Sequence, residues 1–328
     1  MIHRGWHWIG AIVVFVIVCI AAIAVGAVSI PMADVVRAIG GSGDSSVVAI
    51  VRNLRLPRVA LAALIGAGLG MSGGALQGAL RNGLAEPYLL GVSGGAAVGA
   101  VIAFSMGVSE SGWIALAAFA GAALAVVLAL LVARAAGRGG RGDPRTLLMA
   151  GVVIGSFANA VIMISLANAP PNTIRGALWW MMGSAGDATW SSVAILALSV
   201  VAGGAALVYL ARDIDVLALG EESAAALGVD VDRAARAIYL LSALLAAATV
   251  AAAGLVGFVG LIVPHLVRSA GVRQHRPLLV GAALIGATLV VAADLAARTI
   301  RPPAELPLGA VTAILGVPFF LAQLRKTV

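Results

Sequence analysis

Four histidines, one cysteine and one lysine are the side chains best suited to metal binding, thiol chemistry or phosphoryl transfer. None is spaced for it. His3 and His7 lie near the amino terminus, His265 follows Pro264, and His275 falls in a basic loop. No two of them share the helical spacing, with a carboxylate beside it, that a zinc site uses. A phosphate-binding loop needs a lysine after a glycine-rich turn, and the only lysine is Lys326, near the carboxyl end. Cys19 has no second cysteine to pair with. No catalytic residue and no bound cofactor or metal is expected in this chain.

The remaining reactive-looking stretch is GEESAAALGVDVDR, residues 220–233, which holds Glu221, Glu222, Asp230 and Asp232 out of fourteen acids. It stands out because the surroundings are so apolar. The chain of 328 residues is 62% hydrophobic and 11% charged, less than half the charged share of an ordinary soluble domain. Its mean hydropathy is +1.08. Runs such as IGAIVVFVIVCIAAIAVGAV show no polar–apolar alternation, which argues for membrane helices over a transmembrane barrel.

About ten spans are expected, at 9–30, 59–80, 88–106, 113–133, 147–168, 190–211, 237–253, 258–267, 277–297 and 307–324. The amino-terminal run reads as an uncleaved first helix with Trp6 and Trp8 at the interface. Between Ile238 and Leu266 there is no acid or arginine, too long a run for one span. Gly254, Gly257, Gly260 and Pro264 divide it into two shorter helices with a turn inside the protein. Gly66, Gly70 and Gly74, like Gly91, Gly95 and Gly99, repeat every four residues, a spacing that lets helix backbones approach closely in lipid.

Ten spans put both termini on one side. With those termini cytoplasmic, fourteen basic residues lie inside and seven outside, the bias that orients membrane proteins. The inside set includes Arg4, Arg81, Arg134, Arg138, Arg141, Arg145, Arg212, Arg276, Arg325 and Lys326. Outside are Arg37, Arg52, Arg55, Arg58, Arg175, Arg298 and Arg301. The net charge of +7 thus marks span ends rather than a nucleic-acid surface. Apart from residues near span boundaries, no acid, lysine or arginine falls mid-span, which disfavours an ion-coupled secondary transporter without excluding one.

On this topology residues 220–233 face the cytoplasm. Glu221 and Glu222 suit the start of a short helix, Gly228 its end, and Asp230 or Asp232 the cap of the next. From the residues alone the stretch is either a solvated loop or a docking helix with Leu227 as its apolar anchor.

The chain resembles the permease subunits of type II ABC importers, which carry cobalamin, haem and ferric siderophores. Six blocks in family order carry the resemblance: LRLPRVALAALIGAGLGMSGGALQGALRNGLAEPYLLGVSGGAAVGA (54–100), LLMAG (147–151), WWMMGS (179–184), GEESAAALGVD (220–230), GFVGLIVPHLVR (257–268) and RPPAELPLGAVTAILGVPFF (301–320). The resemblance implies one all-α transmembrane domain over 1–328, with coupling helices at about 212–236. It also implies a homodimer in the bacterial cytoplasmic membrane, lipid on all sides, two ATPase subunits holding the ATP and magnesium, and a periplasmic or extracellular substrate-binding protein.

Carried over residue by residue, Glu221, Glu222, Ala225, Leu227, Gly228 and Val229 would contact the ATPase. Arg55, Arg58, Arg298 and the nearby Arg301 would pair with acids of the binding protein, as steering charges more than as affinity. Asn82 and Leu84 would close the pathway on the cytoplasmic side; Gly83 stands where the family normally has proline, which loosens that turn. The segment 143–146, DPRT, departs from the small hydroxyl residues of the cobalamin permeases. Met181 and Met182 suit either a greasy pathway lining or ordinary packing, and Arg175 either a cargo carboxylate or a lipid headgroup. A ferric chelate, siderophore or haem, is the expected cargo, with cobalamin the alternative.

Overall fold

The computed structural model describes residues 3–26, 28–136 and 144–327. The expected basic residues Arg138 and Arg141, and Asp143, lie outside them, as do the side chains of Arg4, Trp6, Arg325 and Lys326.

Among the described residues the chain is helical throughout, with no strand. In order, α1 is His3–Ala24, α2 Met32–Ile39, α3 Ser45–Ala49, and α4 Leu56–Ala79, joined to α3 by a π-helical turn at Ile50–Arg55. After a short 3₁₀ turn at Pro87–Leu90 come α5 Val92–Ser105, α6 Ser111–Ala136 and α7 Pro144–Ala167. The short α8 is Pro171–Met182 and α9 is Trp190–Tyr209. Three small pieces follow one another: α10 Ala211–Leu217, α11 Glu221–Ala226 and the start of α12 Val231–Ala253. The last are α13 Val259–Ser269, α14 His275–Thr299 and α15 Leu308–Thr327.

Each of the ten expected spans has its helix. Six stretches are long and apolar enough to cross a bilayer, and shorter apolar helices cover Trp8–Ala24, Val92–Ser105, Val259–Ser269 and Leu308–Pro318. The break between α12 and α13 falls where the glycines placed it. Gly254 has φ +71, and a Cβ there would lie 2.0 Å from the carbonyl oxygen of Trp180, so only glycine fits.

Three expectations are corrected. The first span stops at Ala24 rather than 30, because two arginines take the carbonyls at its end, described below. Gly91 does not pack in a helix; with φ +84 it makes the turn before α5. His275 is not in a loop but is the buried first residue of α14. The helix of the second span also runs back to Ser45. Pro57 would break it, having no N–H to donate, and the wider π turn sits directly before that residue.

The centre of the bundle is α4, buried along nearly all its length from Pro57 to Ala79. It packs lengthwise on α14, and also on α9, α12 and α13. Its glycines set the distance. A Cβ on Gly66 would lie 2.0 Å from the Gly286 oxygen, and one on Gly286 would lie 2.2 Å from the Gly66 oxygen. A Cβ on Gly70 would lie 2.4 Å from the Ala282 oxygen, and one on Gly73 1.9 Å from the oxygen of Gly260 of α13. Lipid gives apolar helices no hydrophobic reason to associate, so this backbone-to-backbone dispersion, with one ion pair described below, holds the two together. Apolar side chains on the outer helices point away from the protein: Leu116, Leu124 and Leu131 on α6, Ile195 and Leu198 on α9. That is the reverse of a soluble surface and fits acyl chains.

Candidate coupling, docking and gate surfaces

At one end of the bundle α10, α11 and the start of α12 form a ledge. Glu221 and Glu222 occupy the first turn of α11. Gly220, at φ +113, turns the chain into it and Gly228, at φ +81, turns it out. The Val229 N–H donates to Ala224 O at 3.0 Å and closes the turn. Asp230 then caps α12, its Oδ1 accepting from the Arg233 N–H at 3.1 Å. Glu221, Glu222, Ala225, Leu227 and Gly228 are exposed. Leu227 is 59% exposed, an apolar side chain at the tip of an acidic turn. Ala224 faces inward and is fully buried, and Val229 is half-buried against the core.

Asn82 and Leu84 lie beside this ledge. The Asn82 side-chain oxygen accepts from the Leu84 N–H at 2.9 Å, fixing the turn after α4, and Leu84 projects outward, 51% exposed. Gly83 is exposed and has open space around it. Arg81, 3.9 Å from the Glu221 carboxylate, joins this turn to α11.

Two further contacts at this end went unnoticed in the sequence. Gln77, buried on α4, donates to the carbonyls of Gly260 (3.2 Å) and Leu261 (3.1 Å), and its oxygen accepts from Arg268 at 2.5 Å. Asp215 of α10 reaches the start of α14: its Oδ1 accepts from the His275 backbone N–H at 3.0 Å and from Nδ1 at 2.7 Å. A carboxylate can only accept, so Nδ1 carries the proton. Nε2 is buried against Gly78 with no hydrogen-bond partner among the described residues.

The four arginines expected to receive a binding protein lie at the opposite end, and they differ. Arg55 is buried and donates to Ile23 O (2.6 Å), Ala24 O (2.7 Å) and Val28 O. Arg298, also buried, donates to Ala22 O. Together they satisfy the carbonyls that the end of α1 leaves open. Arg58 is held between Asp294 of α14 and Glu305 of the α14–α15 loop. Hydrogen bonds from Arg58 hold the Glu305 carboxyl below its ordinary pKa. Only Arg301 is exposed and has no hydrogen bond or ion pair among the described residues. In this structure Arg55 and Arg298 are therefore internal helix caps rather than presented charges. Asp294 had a sequence signal, as the one acid inside the span at 277–297; what was hidden was its partner, Arg58, 236 residues away.

On the same side α8 lies across the bundle. Pro171, Ile174, Arg175, Leu178, Trp179 and Met182 line an apolar cleft of about 420 Å³ with one guanidinium at its edge. Met182 faces that cleft, whereas Met181 packs inward with Val101 and Ile162. The end of α8 is stitched to two other helices, by Ser184 N–H to Ala253 O (2.8 Å) and Leu308 N–H to Gly183 O (3.0 Å).

Among the described residues, six long and four shorter apolar helices with a glycine-tight centre, a broken span and an exposed acidic ledge are the architecture of a polytopic membrane protein. The sequence profile of the FecCD transport family matches residues 14–326, and the chain belongs to that family. It is 44% identical over 276 residues to a cobalamin import system permease protein of Halobacterium salinarum, covering 84% of this chain and 73% of that one. To the hemin transport system permease protein of Yersinia pestis it is 41% identical over 271 residues, 82% and 81% of the two chains. Its fold matches a solved metal-chelate type ABC transporter in an inward-facing conformation, with TM-score 0.86 and 27% identity over 97% and 98% of the chains. The chain is an ABC importer permease with the type II fold, a transport subunit rather than an enzyme.

Proposed function

We propose that this permease imports a ferric chelate, haem or siderophore, as a homodimer in the bacterial cytoplasmic membrane with both termini inside. The observation that carries the reading is the ledge of α11: an exposed leucine between carboxylates, braced from behind by Ala224, is built to seat in another protein. That protein is an ATPase subunit, one per permease copy, holding ATP and magnesium. Closure of the two ATPases pushes α11, and the push reaches the pathway between the copies.

On the outer side a substrate-binding protein docks near Arg301. Arg55, Arg58 and Arg298 shape the ground beneath it, and Arg58 is free to pair with an incoming acid when Glu305 lets go. Asn82 and Leu84 close the inner mouth. The α8 cleft, with Met182 below and Arg175 at its rim, suits a flat apolar cargo that carries carboxylates. Cobalamin is the second reading, favoured by the 44% identity to a permease named for it.

The test is uptake into proteoliposomes holding the permease and its ATPase, supplied with binding proteins loaded with haem, a ferric siderophore or cobalamin. ATP-dependent accumulation of an iron chelate, with no response to cobalamin, is expected. Accumulation of cobalamin alone selects the second reading. Uptake driven by an ion gradient without ATP overturns both.

A further inference from the structure

A cleft at the α11 end of the bundle opens beside α10, away from the exposed face of α11. It has a volume of about 510 Å³ and opens between the end of α9 and the start of α14, with Val208, Tyr209, Arg212, Asp215, Gln274 and Arg276 on its walls. Arg212 and Arg276 are exposed, and neither has a hydrogen bond or ion pair among the described residues. Asp215, the acid on the wall, is turned to the start of α14 by two hydrogen bonds to its Oδ1, so the wall carries two guanidiniums against one carboxylate, a net positive charge.

Its apolar walls lead into the membrane. On α9, Ile195, Leu198, Val201, Ala205 and Tyr209 follow at steps of three and four residues, one helical face. Ile195, Leu198 and Val201 are each about two-thirds exposed, at 67%, 73% and 68%, and Tyr209 is 85% exposed. On α14 the exposed Val280 lies one turn below Arg276. One lipid-facing stripe, on α9 with Val280 of α14 beside its start, therefore runs out of the cleft, with a tyrosine at the level where aromatic side chains sit at the membrane surface and the guanidiniums just beyond it.

We propose that the cleft binds the headgroup of an anionic phospholipid, its phosphate between Arg212 and Arg276 and its acyl chains along the exposed face of α9. Basic pockets between transmembrane helices bind such headgroups by the same combination of charge and apolar wall. A free anion would use the arginines but leave the α9 stripe unused. A zwitterionic lipid would use the stripe and bring its own cation to the arginines. Because Asp215 lies on the same wall, the lipid would brace the junction of α9, α10 and α14. The inference needs only that the chain spans a bilayer, and is independent of cargo.

The test is a native mass-spectrometry titration of the delipidated full-length chain with phosphatidylglycerol, phosphatidylcholine and, as competitor, inorganic phosphate. Tight binding of phosphatidylglycerol over phosphatidylcholine is expected. R212Q/R276Q should weaken it on the order of 30-fold, the size expected for two surface arginines, and R212K/R276K should largely keep it. Both variants change exposed side chains, and an unaltered melting temperature confirms their fold. Equal binding by R212Q/R276Q, equal affinity for phosphatidylcholine, or displacement of the lipid by millimolar phosphate would each overturn the proposal, the last by showing a plain anion site.

Discussion

Arg58 of α4 and Asp294 of α14 meet in an ion pair across the most tightly packed helix pair of the bundle. The Arg58 Nε lies 3.0 Å from each carboxylate oxygen, and its Nη2 lies 2.9 Å from Oδ1. Asp294 is 2% exposed and also lies 3.6 Å from Arg298. One buried carboxylate therefore faces two guanidiniums, Arg298 buried beside it and Arg58 reaching on from it toward the surface. Asp294→Ala should destabilise the purified protein by about 3–5 kcal/mol, because it leaves buried charge unpaired. The melting temperature in detergent measures it, and a loss no larger than that of a surface alanine substitution would show that water already reaches the pair.

Glu305 gives the same arginine a second, more exposed partner, with Arg58 Nη1 2.7 Å from Oε1. Its folded pKa is depressed by those hydrogen bonds, so its contribution is complete above the ordinary glutamate value of about 4.3 and is lost as pH falls through the lower folded value. Wild type should therefore melt above Glu305→Gln at neutral pH, and the gap should close on acidification below about pH 4. A gap that stays constant through that range would mean the glutamate acts through packing alone.

Two glycines separate close packing from loop freedom. Gly66→Ala would place a methyl 2.0 Å from a backbone oxygen of α14; neither side can yield, so the helices must part. Overpacking costs about 1–3 kcal/mol or more, and parting α4 from α14 also opens the Gly70 contact. Gly83→Ala meets nothing within 4 Å and should be neutral or stabilising by up to about 1 kcal/mol, through the unfolded chain. Thermal unfolding of both variants checks the contrast; equal destabilisation would mean the turn at Asn82 is under strain.

Leu227 tests the ledge. Leu227→Arg puts a charge on an exposed tip that touches no core residue, so folding should be unaffected and the melting temperature unchanged. Seating a guanidinium where an apolar side chain fits should abolish co-purification with the ATPase and, with it, ATP-driven uptake. Undiminished uptake would remove α11 as the contact.

How much of this was legible follows from the range of each interaction. Span positions came from local hydropathy, and the α12–α13 break from Gly254 within its own run, because those signals are contained in twenty residues. The contact of Gly66 with Gly286 was half visible: the repeat announced a close approach but not which helix would arrive. The contacts of Arg55 and Arg298 were hidden for a different reason. Arginines at span ends look like outward charges, and nothing near them in sequence shows that α1 stops at Ala24 and offers its carbonyls. The pairing of Asp215 with His275, sixty residues apart, had no local signature.

That last pair makes the most specific prediction about coupling. Asp215 sits on the helix immediately before α11, and its carboxylate caps α14, a helix whose own N-cap residue Gln274 makes no side-chain cap bond. A displacement of the ledge thus pulls on the end of α14, and α14 is locked to α4 by backbone contact down to the Arg58–Asp294 pair at the far side. Asp215→Ala should cost about 1 kcal/mol of stability, the usual worth of a cap, and leave the exposed face of α11 unchanged. The ATPase should still bind and hydrolyse ATP at its basal rate, while stimulation by a loaded binding protein falls several-fold. Asp215→Asn keeps an oxygen that accepts both bonds and should restore most of that stimulation. If Asp215→Ala remains fully stimulated, or if Asn fails as badly as Ala, the link between ledge and pathway runs through other residues, with the Arg81–Glu221 contact the next to examine.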